Sequence, residues 1–195
     1  MITSNLTDEQ KTKCKDVRKD IVKMIYSAGS GHPGGSLSAV EILSVLYFHE
    51  MRIKPGEPGW PERDRFILSK GHAAPLLYAI LAERGFIKIA DLETFNAPGS
   101  NLQKHLDMHL VPGVELSTGS LGQGLSAAIG MTLNSRLEKI ENYVYVLVGD
   151  GEMQEGQIWE AAMAAAQFKT DHLIVFLDKN NCQVDGFTKD ICNVD

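Results

Sequence analysis

Two short polar segments carry the strongest chemical signal in this chain: Gly149-Asp150-Gly151 and Asn180-Asn181. Each follows an apolar run, residues 143–148 and 172–178, whose side chains are apolar on both faces. That pattern suits strands of a parallel sheet covered by helices on both sides. Ligands of open α/β sheets sit at the carboxyl ends of such strands. Both segments offer hard oxygen there, a carboxylate from Asp150 and an amide oxygen from Asn180. Mg²⁺ takes near-octahedral oxygen ligands and shares them with phosphate oxygens. Gly151 keeps a side chain away from the place where a diphosphate would approach the backbone. The helix expected after Gly156 aims its N-terminus at the same edge, which favours an anion. Taken alone, Gly-Asp-Gly is also a common strand-end turn. The two strands, the helix between them and the far Asn pair turn the reading toward a metal–diphosphate site.

The remaining pattern supplies the elements that would hold such a site. Thr7 with Gln10 reads as a capping box ahead of a helix carrying Val17, Ile21, Met24, Ile25 and Ala28. Residues 30–35 are a Gly/Pro loop, and Ser38 with Glu41 reads as a second capping box, opening a helix through Phe48. Residues 65–69 predict a buried strand, and a helix over 73–84 ends at Gly85. Residues 91–112 are weakly patterned, with room for one short helix at their start. The glycine-rich turn 119–124 leads into a helix over 125–138, and an Ala-rich helix spans 157–168. Strand, turn, helix, strand is a βαβ unit, so the class is α/β with a parallel sheet. Only three strands are evident and residues 187–195 offer no closing one, so the sheet is expected to be incomplete at its C-terminal side.

Composition bounds the rest. The 195 residues suit one domain, with 44% hydrophobic and 23% charged side chains. The net charge of -6 argues against a nucleic-acid surface. No apolar run approaches the roughly 20 residues that span a bilayer, so no membrane is expected. The first residues lack the basic and apolar regions of a secretory signal. Three cysteines without a C-x-x-C pair fit a reducing, cytoplasmic setting. Cys14 and Cys192 read as packing residues.

The flanking residues are specific. Gly149-Asp-Gly, just under thirty residues, then Asn-Asn resembles the thiamine-diphosphate motif, and Gly149-Asp-Gly-Glu-Met-Gln-Glu-Gly156 is similar to its transketolase version. Ser30-Gly-His-Pro-Gly34, Leu68-Ser-Lys-Gly-His-Ala73, Pro112-Gly-Val-Glu115 and Thr118-Gly-Ser-Leu-Gly-Gln-Gly124 resemble further transketolase segments, in the family's order, across nearly the whole chain. The resemblance implies a three-layer thiamine-diphosphate-binding fold over residues 1–195, the diphosphate-binding half of the enzyme.

It also implies roles. Asp150 and Asn180 would be Mg²⁺ side-chain ligands, with Ca²⁺ or Mn²⁺ able to replace the ion, and Cys182 would add its backbone carbonyl. Gly151 would lie on the diphosphate, and Gly119, Ser120 and Leu121 would line the cofactor. His72 would sit near the diphosphate and His32 near the donor sugar's hydroxyls. Read without the family, His32 is a loop residue and His72 a cap of the following helix. His105 would be another substrate contact, although Lys104 and Leu106 replace the family's flanking Gly and Pro and His109 is a rival. Glu155 would link across a subunit interface to the partner's catalytic glutamate.

In the resembled family the activating glutamate and the sugar-phosphate-binding arginines sit in a separate pyrimidine-binding domain. This chain looks like the N-terminal subunit of a split transketolase, shortened before the last part of its domain. It would act on sugar phosphates, transferring a two-carbon ketol unit, once joined to a pyrimidine-domain subunit in a homo- or hetero-oligomer. Two other readings stay open: a non-catalytic cofactor-binding or assembly module, and a subunit of another thiamine-diphosphate enzyme such as deoxyxylulose-phosphate synthase.

Overall fold

A computed structural model describes residues 6–184 and 186–193. The order of elements is α1 (Asp8–Ala28), α2 (Pro33–Leu37), α3 (Val40–Val45), β1 (Arg65–Leu68), α4 (Ala74–Arg84), α5 (Gln123–Glu138), β2 (Val144–Gly149), α6 (Gly156–Phe168), β3 (Leu173–Asp178), β4 (Cys182–Gln183), β5 (Gly186–Phe187) and α7 (Thr188–Ile191). Among the described residues no helix is long and apolar enough to cross a membrane.

The sheet is parallel, in the order β1-β2-β3, with Arg65 opposite Val144 and Val144 opposite Leu173. Its side chains alternate between two cores, as the two-residue period of a strand requires. Phe66, Leu68, Tyr145 and Leu147 pack beneath α1, α3 and α4. Ile67, Val144, Val146 and Val148 pack beneath α5 and α6. The result is three layers, helix on sheet on helix. Central β2 is buried along its whole length.

Edge strand β3 differs from the sequence expectation of a strand covered on both faces. Val175 and Leu177 are 44% and 45% exposed, while Ile174 and Phe176 pack partly against the first core. No further strand joins the sheet beside β3 among the described residues. Phe187 does lie in a strand, but in the local antiparallel pair β4–β5, which is separate from the main sheet. Residues 194 and 195, the end of the stretch read as strand-free, lie outside the described residues.

The first capping box forms as read: Thr7 N–H donates to Gln10 Oε1 at 2.8 Å and Gln10 N–H to Thr7 Oγ1 at 3.2 Å. The second does not form. Ser38 has helical backbone and Ala39 stands ahead of α3, with no side-chain cap. The Ser38 hydroxyl instead donates to Asp178 Oδ2 at 2.6 Å, and Glu41 accepts from Arg18. Pro33–Leu37, most of it expected as loop, forms the short helix α2, the expected helix starts only at Val40, and past α3 its last turn, residues 46–50, widens into π geometry. Gly85 ends α4 in the left-handed conformation, as expected.

Residues 86–118 hold little regular structure beyond one short 3₁₀ stretch, Ile89–Thr94, yet they are anchored. Leu92, Phe95, Leu102, Leu106, Val111 and Val114 are all buried in the first core. Glu115 accepts from Arg63 at 2.6 and 2.8 Å and from Arg65 at 2.8 Å. The Pro112-Gly-Val-Glu115 segment is therefore tied to the start of β1, at the opposite edge of the sheet from Asp150.

Candidate active site

The carboxyl ends of the three strands carry Ser69-Lys70, Gly149-Asp150 and Asp178 in adjacent positions. Helices α5 and α6 both begin at this edge. The Asp150 carboxylate is 4% exposed. Its Oδ1 accepts the Gly151 N–H at 2.9 Å and its Oδ2 the Asn181 N–H at 2.6 Å. The two halves of the Gly-Asp-Gly…Asn-Asn pattern thus meet directly. Asn180 Oδ1 is oriented by the Cys182 N–H at 2.9 Å. Asn181 takes a left-handed φ of 63°, which asparagine tolerates well.

Among the described residues no group of three His, Cys, Asp or Glu could hold a metal. A cation here would be held by one carboxylate, one amide and backbone or ligand oxygens, the donor set of a hard divalent ion that shares phosphate.

Gly151 has ordinary helical backbone, φ −64°. A Cβ on it would lie 2.9 Å from Gln183 Cβ, so its lack of a side chain admits Gln183. Gln183 and Gln154 pair amide to amide, and Gln154 Nε2 also donates to the Cys192 carbonyl at 2.8 Å, fastening the β4–β5 hairpin beside the Asp150 turn.

Three imidazoles gather at the same edge. His32 and His72 have ring centroids 5.4 Å apart, and His32 and His105 lie 6.2 Å apart. His105, not His109, joins the group. His72 caps no helix: Ala73 precedes α4 without a side-chain cap. Burial lowers the His72 pKa to about 4, with the Lys70 ammonium adding to the effect. The His32 pKa is lowered too, by partial burial first and then by Lys104 and His105. Both rings are therefore neutral near pH 7, each with one donor and one acceptor nitrogen.

The glycine-rich turn closes on these rings. A Cβ on Gly119 would lie 3.1 Å from the His105 ring. A Cβ on Gly71 would lie 2.6 Å from Gly119 N and the Thr118 carbonyl carbon, so two backbones touch there. Gly122 has φ +83°, and a Cβ on it would lie 2.9 Å from Glu155 Cβ, so its bare Cα admits the Glu155 side chain. Glu155 is exposed and precedes α6 without capping it by its side chain.

Two features were missed by sequence reasoning. Lys70, 1% exposed, forms an ion pair with Asp178, 6% exposed. Glu152, 2% exposed, accepts three hydrogen bonds beneath the Gly-Asp-Gly turn. Lys70 and Glu152 both lie inside transketolase-like segments, but only their burial distinguishes them from surface charges.

The comparisons with known proteins bear on the family and the fold. The family model described as "Transketolase, thiamine diphosphate binding domain" matches residues 9–195. The chain is 52% identical over 175 residues to a 6-deoxy-6-sulfo-D-fructose transketolase subunit, SqwG, of Clostridium sp. (strain MSTE9), covering 90% of this chain and 64% of that subunit. It is 46% identical over 189 residues to one subunit of the apulose-4-phosphate transketolase of Actinobacillus succinogenes, covering 96% and 68%. Against human transketolase the identity is 46% over 182 residues, 89% of this chain and 29% of the enzyme. The chain thus spans about two thirds of the subunit relatives and under a third of the full-length enzyme. The solved transketolase of Campylobacter jejuni superposes with a TM-score of 0.92 at 34% identity, over 97% of this chain and 31% of that one. This chain belongs to the transketolase family, in the part described as its thiamine diphosphate binding domain.

Proposed function

We propose that this chain is the diphosphate-binding half of a split transketolase, transferring a two-carbon ketol unit from a ketose phosphate to an aldose phosphate when a pyrimidine-domain subunit completes the site. The observation that carries this reading is the bond from the Asn181 N–H to Asp150 Oδ2, which unites both ends of the motif at one strand edge beside three histidines. The two subunit relatives carry names of split enzymes acting on a sulfonated or a phosphorylated sugar, which supports an anionic sugar substrate and a partner subunit.

Asp150 Oδ and Asn180 Oδ1 would hold a divalent cation, Mg²⁺ or in its place Ca²⁺ or Mn²⁺, together with the Cys182 carbonyl. These oxygens fit it, being hard, nearly fixed by backbone N–H bonds, and gathered at two helix N-termini. Gly119, Ser120 and Leu121 would line the cofactor, and Gly151 would lie near its diphosphate. When bound, thiamine diphosphate supplies a nucleophilic thiazolium carbon, while the protein orients and tunes it. Neutral His72 would donate a hydrogen bond near the diphosphate. Neutral His32 would hold a sugar hydroxyl and accept or return a proton there, a role that a permanently charged ring would not fill, and His105 beside it would be a further contact to the sugar. Glu155, uncommitted to any cap, would meet the partner's glutamate across the subunit interface. The setting is cytoplasmic carbohydrate metabolism of the pentose-phosphate kind.

The test is reconstitution. The purified chain, a pyrimidine-domain subunit, thiamine diphosphate and Mg²⁺ are assayed for ketol transfer singly and together. Turnover is expected only from the complete mixture. Robust turnover by the lone chain would overturn the split-site reading, and a mixture that binds cofactor but stays inactive would favour a non-catalytic module.

A further inference from the structure

We infer that Glu152 is the positioning residue of the cofactor cradle, a buried carboxylate that holds three separate turns in one arrangement; this rests on the cofactor reading above. Oε1 accepts the Ser69 hydroxyl at 2.5 Å and the Gly122 N–H at 2.9 Å, and Oε2 accepts the Gly149 N–H at 3.1 Å. Ser69 follows β1, Gly149 ends β2, and Gly122 precedes α5. These donors come from three distant parts of the sequence; the β1–β2 ladder, continued by the Ser69 N–H to the Leu147 carbonyl at 3.0 Å, sets the first and third side by side, and Glu152 adds the Gly122 turn to them. Each stands a few residues from a group assigned to the cofactor: Ser69 from His72, Gly122 from Gly119–Leu121, Gly149 from Asp150 and Gly151.

The chemistry suits an ionised carboxylate. It is acceptor-only, with about four lone-pair sites, and the three groups facing it are neutral donors. An amide of the same shape offers one acceptor oxygen and turns an NH₂ toward a donor, so at least one N–H or hydroxyl loses its partner. With Glu152 2% exposed, water does not readily replace the missing acceptor. Close packing makes the arrangement sensitive. Gly124 has its Cα against Ser69, and Gly122 against Glu155, so a shift of the turn ahead of α5 moves the cofactor-lining residues and Glu155 together.

Asp64 supplies an internal control. It is likewise buried, 2% exposed, and accepts the Arg52 N–H at 2.7 Å and the Tyr143 N–H at 2.8 Å. It does so at the opposite edge of the sheet, where β1 and β2 begin.

The experiment compares Glu152→Gln, Ser69→Ala and Asp64→Asn in the complete enzyme with its partner subunit. Calorimetry measures thiamine diphosphate affinity in the presence of Mg²⁺, kinetics separates the KM for cofactor from kcat at saturation, and amide hydrogen exchange is followed without cofactor. For Glu152→Gln we expect cofactor affinity about 10–100-fold weaker, the usual loss when a group supporting a ligand shell is altered. We expect kcat to recover largely at saturating cofactor, and exchange to rise at residues 69–72, 119–122 and 149–151 together. Ser69→Ala should show a smaller loss of the same kind, and Asp64→Asn should lower the melting temperature without changing cofactor affinity. The inference is overturned if Glu152→Gln and Asp64→Asn change affinity equally, or if exchange in Glu152→Gln rises only around residue 152. If the wild type binds no thiamine diphosphate, the cofactor reading fails by itself, and the exchange pattern still decides whether Glu152 holds the three turns.

Discussion

Lys70 reaches across the end of β2 to pair with Asp178, passing over Gly149. Lys70 lies just beyond β1 and Asp178 ends β3, with β2 between them. A Cβ on Gly149 would stand 3.8 Å from Lys70 Cδ, an ordinary van der Waals distance, which places the lysine stem directly over this residue. Ser38 adds a second bond to the same carboxylate oxygen. Removing one partner strands a buried charge, which costs about 3–5 kcal/mol, whereas removing both can be nearly neutral. Lys70→Met should therefore destabilise strongly, and Lys70→Met with Asp178→Asn should cost less than the sum of the single changes. Urea unfolding of the four proteins in this cycle checks it.

Asp150 does two jobs in the structure. Its carboxylate anchors the Gly151 and Asn181 N–H groups as well as offering oxygen to a cation. Asp150→Ala should abolish Mg²⁺-dependent thiamine diphosphate binding and also loosen residues 180–183, at about 1–3 kcal/mol for a buried donor left without its acceptor. Asp150→Asn should abolish the metal-dependent binding while preserving more of the loop. Calorimetry with and without Mg²⁺, beside hydrogen exchange of both variants, separates the two effects. Unchanged affinity in both would remove Asp150 from the site.

His72 should make the cofactor-free chain acid-sensitive. Its folded pKa of about 4 lies below the ordinary 6.5, mainly through burial and then through Lys70. The unfolded chain therefore takes up the proton first, so the stability present above pH 6.5 is lost as pH falls toward 4. The other groups facing this imidazole, His32, His105, Lys70 and Asp178, are present in both proteins. His72→Gln should flatten the fall in melting temperature over that window. Parallel curves for the two proteins would assign the acid sensitivity elsewhere.

Glu155 makes no side-chain bond to the start of α6. Only its charge near the helix N-terminus remains as a local role, worth about 0.3–1 kcal/mol. Glu155→Gln should lower the melting temperature of the lone chain by less than about 4 °C. Assembly with the pyrimidine-domain subunit, or the activity of the assembled pair, should fall more. Light scattering and an activity assay beside the melt decide; a larger loss in the melt than in assembly leaves Glu155 as a helix-start residue only.

Local rules read this fold well where the partners are local. Thr7 and Gln10 are three residues apart and form the box their spacing announces. Ser38 and Glu41 have the same spacing and do not, because Asp178 takes the hydroxyl from 140 residues away. The three strands and the meeting of Asp150 with the Asn180–Asn181 loop followed from apolar runs and polar ends. Lys70, Glu152 and the contact of Gly151 with Gln183 did not. A buried charge has the same letter as an exposed one, and a glycine's neighbour is fixed by packing between distant turns. The two-sided pattern of β3 misled in another way: apolar residues on both faces record what a strand can bury, while Val175 and Leu177 remain half exposed.

The parallel register of β1 with β2, Arg65 opposite Val144, sets the order in which this molecule can assemble itself. No hairpin can nucleate that pairing, and a long loop must close before its first bond forms. Chains dominated by such remote pairings fold slowly. His72, Asp150 and Asn180 lie just past the far ends of these strands, and His32, His105 and Gly119 lie in loops between helices, so the groups come together only once the sheet has zipped. The local helices α1 and α4 can form early and report a nearly native circular dichroism signal while the cleft does not yet exist. In a refolding experiment, recovery of ligand-binding capacity should then lag behind recovery of helix.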